Sequence, residues 1–148
     1  MGCRQGGFVS ALTTAKHPGL TDKLVLFCPA LCIPDDTRAG KMMFAKFDPE
    51  NLPEIINYGP MKLGKCYPAD VLDMDPYELI KGVTCPVLIV HGTADKIVHP
   101  DYARRAENAH RAVQLHMIEG GAHRFSKKHD VIVMGYLWDF SKRKNRKQ

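Results

Sequence analysis

An aspartate and a histidine stand in this sequence where a proton relay could form. The stretch "HGTADKIVHP" follows an apolar run and presents Asp95, and "EGGAHRF" follows a second run and presents His123. A serine-type acyl-transfer catalyst needs such a pair. Its histidine takes the nucleophile's proton, and a buried carboxylate fixes the imidazole tautomer and stabilises its positive form. Upstream, the chain opens "MGCRQGGFVSAL", with Gly2, Gly6 and Gly7 in the spacing G-x-?-x-G-G and apolar residues directly after. In a nucleophile turn between strand and helix, small residues at those places allow a bend too tight for side chains, and a serine holds the third position. Here that position is Arg4.

Arginine has no nucleophilic atom at neutral pH, because its guanidinium stays protonated. Its positive charge beside His123 would also disfavour the imidazolium that a general base must form. Cys3 sits one residue off the apex and is expected to point elsewhere, while Ser10 falls inside the helix predicted after the glycines. The chain as written is therefore not expected to work as a serine-type acyl-transfer catalyst.

Three short apolar runs are expected to position these residues: "KLVLFCPA" (23–30), "CPVLIVHG" (85–92) and "VQLHMIEG" (113–120). Near-continuous Val, Leu and Ile fits strands covered on both faces. Helical stretches, "PDYARRAENAHRA" and "HDVIVMGYLWDFSKRK", follow the last two, so the pattern reads as a three-stranded parallel sheet with crossover helices. Both candidate loops then lie at the C-terminal ends of strands, where open α/β sheets place ligands. Residues 33–83 break the rhythm with prolines, glycines and mixed short patterns, too long for a plain loop, and read as a lid insertion with its own short helices. No strand precedes the opening turn, so the first strand is expected to expose an unpaired edge, which offers a route to self-association.

Composition narrows the remaining classes. The 148 residues are 45% hydrophobic and 25% charged, ordinary for one soluble domain. The net charge of +5 is located in the basic tail (142–148), where Lys142, Arg143, Lys144, Arg146 and Lys147 supply five positive charges. That tail has no stacking aromatics, so it reads as a solvated helix end rather than a nucleic-acid interface. No apolar segment reaches a membrane span and no signal core follows the start, so a cytoplasmic location is expected. The five cysteines form no C-x-x-C pair and the histidines show no H-x-x-x-H spacing. Cys28, Cys32 and Cys85 read as buried free thiols, and no metal is expected.

Taken together, these stretches resemble the C-terminal part of an α/β-hydrolase, within the bacterial cinnamoyl or feruloyl esterase group of serine hydrolases. The resemblance covers essentially the whole chain. "GCRQGG" is similar to a G-H-S-Q-G-G nucleophile turn, and "CPALCIPDD" to the strand and approach to the lid. "KLGKCYPADVLDMDPYE" resembles the lid exit, "HGTADKIV" the acid loop and "EGGAHRFSKKHD" the histidine loop. The resemblance implies an α/β fold with an inserted lid, Asp95 as triad acid, His123 as general base and the Gln5 backbone N–H as one oxyanion donor. It also implies Asp36 and Tyr67 as contacts to substrate hydroxyls. Asp95 could instead cap a turn, Asp36 could cap a short helix and Tyr67 could pack within the lid.

The function implied is that of a truncated serine hydrolase of the carboxylic-ester type, acting on a small ester without a cofactor and inactive as written because of Arg4. The alternative is a non-catalytic remnant that binds a small aromatic acid or a partner protein.

Overall fold

A computed structural model of the chain describes residues 1–42, 44–58 and 60–143. The chain divides into two compact units, Met1–Leu31 with residues 76–148, and Cys32–Asp75.

The first unit is built on a parallel sheet. Its strands are β1 (Gly2–Cys3), β2 (Leu24–Phe27), then β7 (Val87–Gly92) and β8 (Val113–Ile118), in the spatial order β1-β2-β7-β8. Each of the three expected runs contains a strand. The count of three is corrected to four, because Gly2 and Cys3 pair with Leu26 and Phe27. β2 therefore has neighbours on both sides and is not the unpaired edge that the apolar pattern suggested. Two residues carry no periodicity to read, which is why β1 went unseen.

β2 also stops earlier than its apolar run. Cys28 has φ of +42°, outside the strand region, and Pro29 after it has no N–H for a ladder. β7 is buried along its whole length, as expected of a strand covered on both faces.

Helix α1 (Arg4–Lys16) starts directly at the end of β1 and buries Gly7, Phe8, Ala11 and Thr14, a face of helical period. It packs against β2 and against α4 (Pro76–Lys81), whose Ile80 is buried. α5 (Asp101–Ala109) buries Ala103 and Ala106 and packs against α4 and β8. α6 (Lys127–Lys142) places Val133 and Phe140 in a cluster with Val25, Leu88, Val90 and Ile118. Its Val131, Met134 and Trp138 form an exposed apolar stripe at helical spacing. Lys23 closes the end of this helix, its Nζ donating to the carbonyls of Phe140 (3.1 Å), Ser141 (2.7 Å) and Arg143 (2.5 Å). Arg143 donates to Gln114 Oε1 at 2.8 Å, and the rest of the basic tail, 144–148, lies outside the described residues.

The second unit contains α2 (Ile33–Arg38), the antiparallel pair β3 (Lys41–Met42) and β4 (Ala45–Lys46), the antiparallel pair β5 (Ile55–Tyr58) and β6 (Met61–Gly64), and α3 (Cys66–Val71). The short helices were expected and the two antiparallel pairs were not. Arg38 ties α2 to the segment after α3 through the carbonyls of Leu72 (2.8 Å) and Met74 (3.2 Å). This unit ends at Asp75, and Ile80 of α4 and Val83 are buried in the first unit. No helix among the described residues is long and apolar enough to cross a membrane.

Candidate active site

At the turn from β1 into α1, Arg4 takes φ of +53°. A non-glycine residue holds that conformation only where its surroundings over-determine it. The cause is visible on either side. A Cβ at Gly2 would collide with the Gly6 carbonyl and Ser10 Oγ, so strand and helix approach more closely there than a side chain permits. The Arg4 carbonyl accepts the Ala30 N–H at 2.9 Å, which fastens the tip. Gln5, the second residue of α1, has its backbone N–H in the first helical turn, where no intrahelical carbonyl precedes it. Cys3 at the N-cap supplies no side-chain cap, and the first turn holds no acidic residue.

Beyond β7 the chain turns through Asp95, which is buried. Its Oδ1 accepts the N–H groups of Ile97 and Val98, both at 2.9 Å, and its Oδ2 lies 2.9 Å from His123 Nδ1. Burial alone would raise this carboxyl's pKa. The hydrogen bonds from Val98, His123 and Ile97 outweigh it and hold the pKa below the ordinary carboxylate value. The network assigns the proton to His123 Nδ1, which donates to Asp95 and leaves the Nε2 lone pair without a partner among the described residues.

His123 also borders a cavity of about 630 Å³, which Cys3, Arg4, Phe27, Cys28 and Phe125 line as well. The structure thus brings Arg4 and His123 to one cavity, with Asp95 directly behind His123. Cys3, at the end of β1, is among the residues that border the same cavity.

Asp36 and Tyr67 belong to the second unit. Asp36 sits in the first turn of α2, with Oδ1 2.9 Å from Lys41 Nζ. The buried Cys32 thiol nearby is pushed up to about 12 by burial and by the Asp36 carboxylate. Tyr67 is a half-buried residue of α3.

Sequence reasoning missed His91 and gave Cys28 no role at the site. His91 is fully buried in β7, its Nε2 2.9 Å from the Val98 carbonyl and 3.3 Å from Asp95 Oδ2. Burial pushes its pKa below the ordinary imidazole value. A histidine inside a Val and Ile run reads as core, and only its place one turn before Asp95 could have flagged it. Burial pushes the Cys28 thiol up to about 11, so it is not a thiolate at neutral pH. Cys28, His91 and Asp95 bring one ligand atom each within 4.8 Å of one another, a set that could hold a metal ion. Both Asp95 oxygens are already engaged by Ile97, Val98 and His123, so a metal there would have to displace those bonds.

No family model and no curated protein matches the chain. Solved structures do. Est1E from Butyrivibrio proteoclasticus superposes with a TM-score of 0.86 at 28% identity, over 95% of this chain and 58% of that one. A structure of Est1E with ferulic acid bound gives 0.83 at 27% identity, over 95% of this chain and 59% of that one. The esterase domain of a Rhodothermus marinus protein gives 0.70 at 15% identity, over 97% and 59%, and so speaks to the fold alone. These neighbours are esterases and lipases of the α/β-hydrolase fold, and the chain spans less than two thirds of their length.

Proposed function

Because this chain carries the C-terminal part of the α/β-hydrolase fold, we propose that Asp95, His123 and the turn at Arg4 form a carboxylic-ester hydrolase site of the cinnamoyl or feruloyl esterase type. Arginine occupies its nucleophile position. The observation that carries the reading is the 2.9 Å contact from His123 Nδ1 to Asp95 Oδ2, with His123 and Arg4 bordering one cavity. In such a site a serine at position 4 would give its proton to His123 Nε2, and Asp95 would steady the imidazolium. The Gln5 N–H would face the oxyanion that develops on the ester carbonyl. Ferulic acid bound to the similar Est1E supports an aromatic acyl group as the substrate class. Asp36 and Tyr67 are proposed contacts to the hydroxyls of that group. The chemistry needs no cofactor, and the buried thiols of Cys28, Cys32 and Cys85 support a reducing, cytoplasmic setting.

Arg4 cannot attack an ester, so the chain as written is expected to leave p-nitrophenyl acetate and methyl ferulate untouched above a buffer blank. Arg4→Ser in a chimera that adds the N-terminal portion of Est1E is expected to hydrolyse methyl ferulate. A well-folded chimera without turnover, or with turnover indifferent to His123→Ala, would overturn the reading. Arg4 also favours a second reading, in which the site holds a small aromatic ligand without converting it.

A further inference from the structure

We propose that the cavity at the β1–α1 turn is a binding site for an organic carboxylate with an apolar, ring-sized body, anchored by Arg4 and Arg124. The inference deepens the second reading above and rests on it, since it takes this cavity as the place where the acyl group of an ester would otherwise sit.

Volume and lining set the size and character of the ligand. About 630 Å³ lies within the range of small-molecule sites, and Phe27, Phe125, Val133, Met134 and Leu137 give the cavity apolar walls. Three basic groups stand among them: Arg4, His123 and Arg124. The one acidic lining residue is Asp130, so the two guanidinium groups leave the cavity net positive.

Among the described residues the side chains of Arg4 and Arg124 make no hydrogen bond and no ion pair. Arg38 is paired with Asp35, by contrast, and Arg104 with Asp101. Arg4 is only half-exposed, and it stands in the first turn of a 13-residue helix that has no acid there and no side-chain cap. A cation at that end opposes the helix dipole and destabilises the turn unless an anion lies beside it. The arrangement is therefore costly when empty and relieved when an anion enters.

The walls decide which anion. A guanidinium offers parallel N–H donors that match the two oxygens of a carboxylate. Inorganic phosphate would match the donors as well but would leave the apolar walls of Phe27 and Phe125 uncovered, so it gains nothing from them. An ester or amide of the same acid fills the apolar volume but brings no charge to Arg4. A carboxylate on an aromatic or branched apolar body satisfies both parts.

The test is calorimetric titration of the 148-residue chain with trans-cinnamate, with trans-cinnamamide and inorganic phosphate as comparators. Cinnamate is expected to bind roughly tenfold or more tightly than either comparator, and the affinity should fall as salt is raised. Arg4→Gln should weaken cinnamate by about tenfold or more, and Arg4→Lys by less, because it keeps the charge and loses the paired donors. Arg124→Gln should weaken it by a smaller factor, in keeping with that residue's exposure. If Arg4→Gln fails to fold, Arg4→Lys and Arg124→Gln carry the test. Equal binding of acid and amide, binding of phosphate as tight as cinnamate, or indifference to both arginines would overturn the proposal. The catalytic reading fails separately: a chimera with Arg4→Ser that hydrolyses methyl ferulate, beside a chain that ignores cinnamate, would retire the carboxylate anchor alone. Cinnamate held through Arg4 beside an inert chimera would retire the esterase reading alone.

Discussion

The Gly121 carbonyl accepts the Ala94 N–H at 2.9 Å, and a methyl group placed on Gly121 would stand 3.1 Å from Gly92 Cα. These two glycines lie between the loop of Asp95 and the loop of His123, and their contact is what lets Nδ1 and Oδ2 meet. Thr93 strengthens the same junction, with its N–H donating to Ile118 and its Oγ1 accepting from Gly120. Gly92→Ala would drive its Cβ into the Gly121 carbonyl. The expected cost is about 1–3 kcal/mol, as for other overpacked interiors, read as a lowered midpoint in thermal or urea unfolding. Gly6→Ala is the control, since a Cβ there meets nothing. That variant should keep or slightly raise stability, because alanine favours a helix interior by roughly 0.5–1 kcal/mol. Equal effects at the two positions would show that close approach is not what Gly92 provides.

Stability should fall with mild acid because of His91. Burial holds its folded pKa below the ordinary value of 6.5, so the unfolded chain takes up a proton that the folded chain refuses. The contribution is fully present above about pH 6.5 and is lost progressively below it. His116 acts in the same direction, its pKa lowered by burial and by Arg143. Midpoints measured from pH 8 to pH 5.5 should decline, and His91→Gln should flatten part of that decline. Asp95 adds a separate acid limb. Its depressed pKa gives stability that is present above 3.8 and disappears as pH falls through the folded value.

Lys23 is expected to matter more for α6 than its position before β2 suggests. Its Nζ meets three carbonyls of the last turn and lies 5.8 Å from the Phe140 ring centroid. Lys23→Met keeps the apolar stem and removes the charge. It should cost about 1 kcal/mol and speed amide exchange in the final turn of α6. Unchanged exchange there would show that the helix end is held by Phe140 packing alone.

The stripe Val131, Met134 and Trp138 makes self-association the expected behaviour of this chain at high concentration. Trp138 is the single tryptophan, so its emission reports directly on the stripe. Raising the concentration should shift the emission to the blue as sedimentation reveals larger species, and Met134→Lys should suppress both. A monodisperse monomer with a constant spectrum would count against the idea.

What could be read from the sequence follows from how many residues share each signal. β7 was plain because six consecutive residues are buried on both faces, and Asp95 and His123 stood out because each follows such a run. β1 has two residues, and the antiparallel pairs of the second unit have two or four per strand, too few for a period to declare itself. The bulk of Arg4 in the turn was legible, but that its side chain meets no partner among the described residues was not, since pairing depends on what the fold brings near. His91 was hidden for the opposite reason: its neighbours in sequence are core residues, and its role lies in a contact to a loop four residues on.

The strictest test of the site is whether its members act together. In the chimera carrying Arg4→Ser, His123→Ala should remove most of the gained rate, because His123 is the imidazole that borders the cavity with position 4 and is backed by the Asp95 carboxylate. Asp95→Asn should lower it sharply, since an amide in place of Oδ2 can donate to Nδ1 and so turn the imidazole proton to Nε2, the atom that must accept. If the two form one relay, the double variant should be little slower than His123→Ala alone, because the carboxylate acts only through the imidazole. Cys3→Ala belongs in the same series as a control, since Cys3 borders the cavity, and it should leave the rate of the Arg4→Ser chimera unchanged. Multiplicative losses for His123→Ala and Asp95→Asn would mean that the two residues contribute independently, and the 2.9 Å contact would then be structural rather than catalytic.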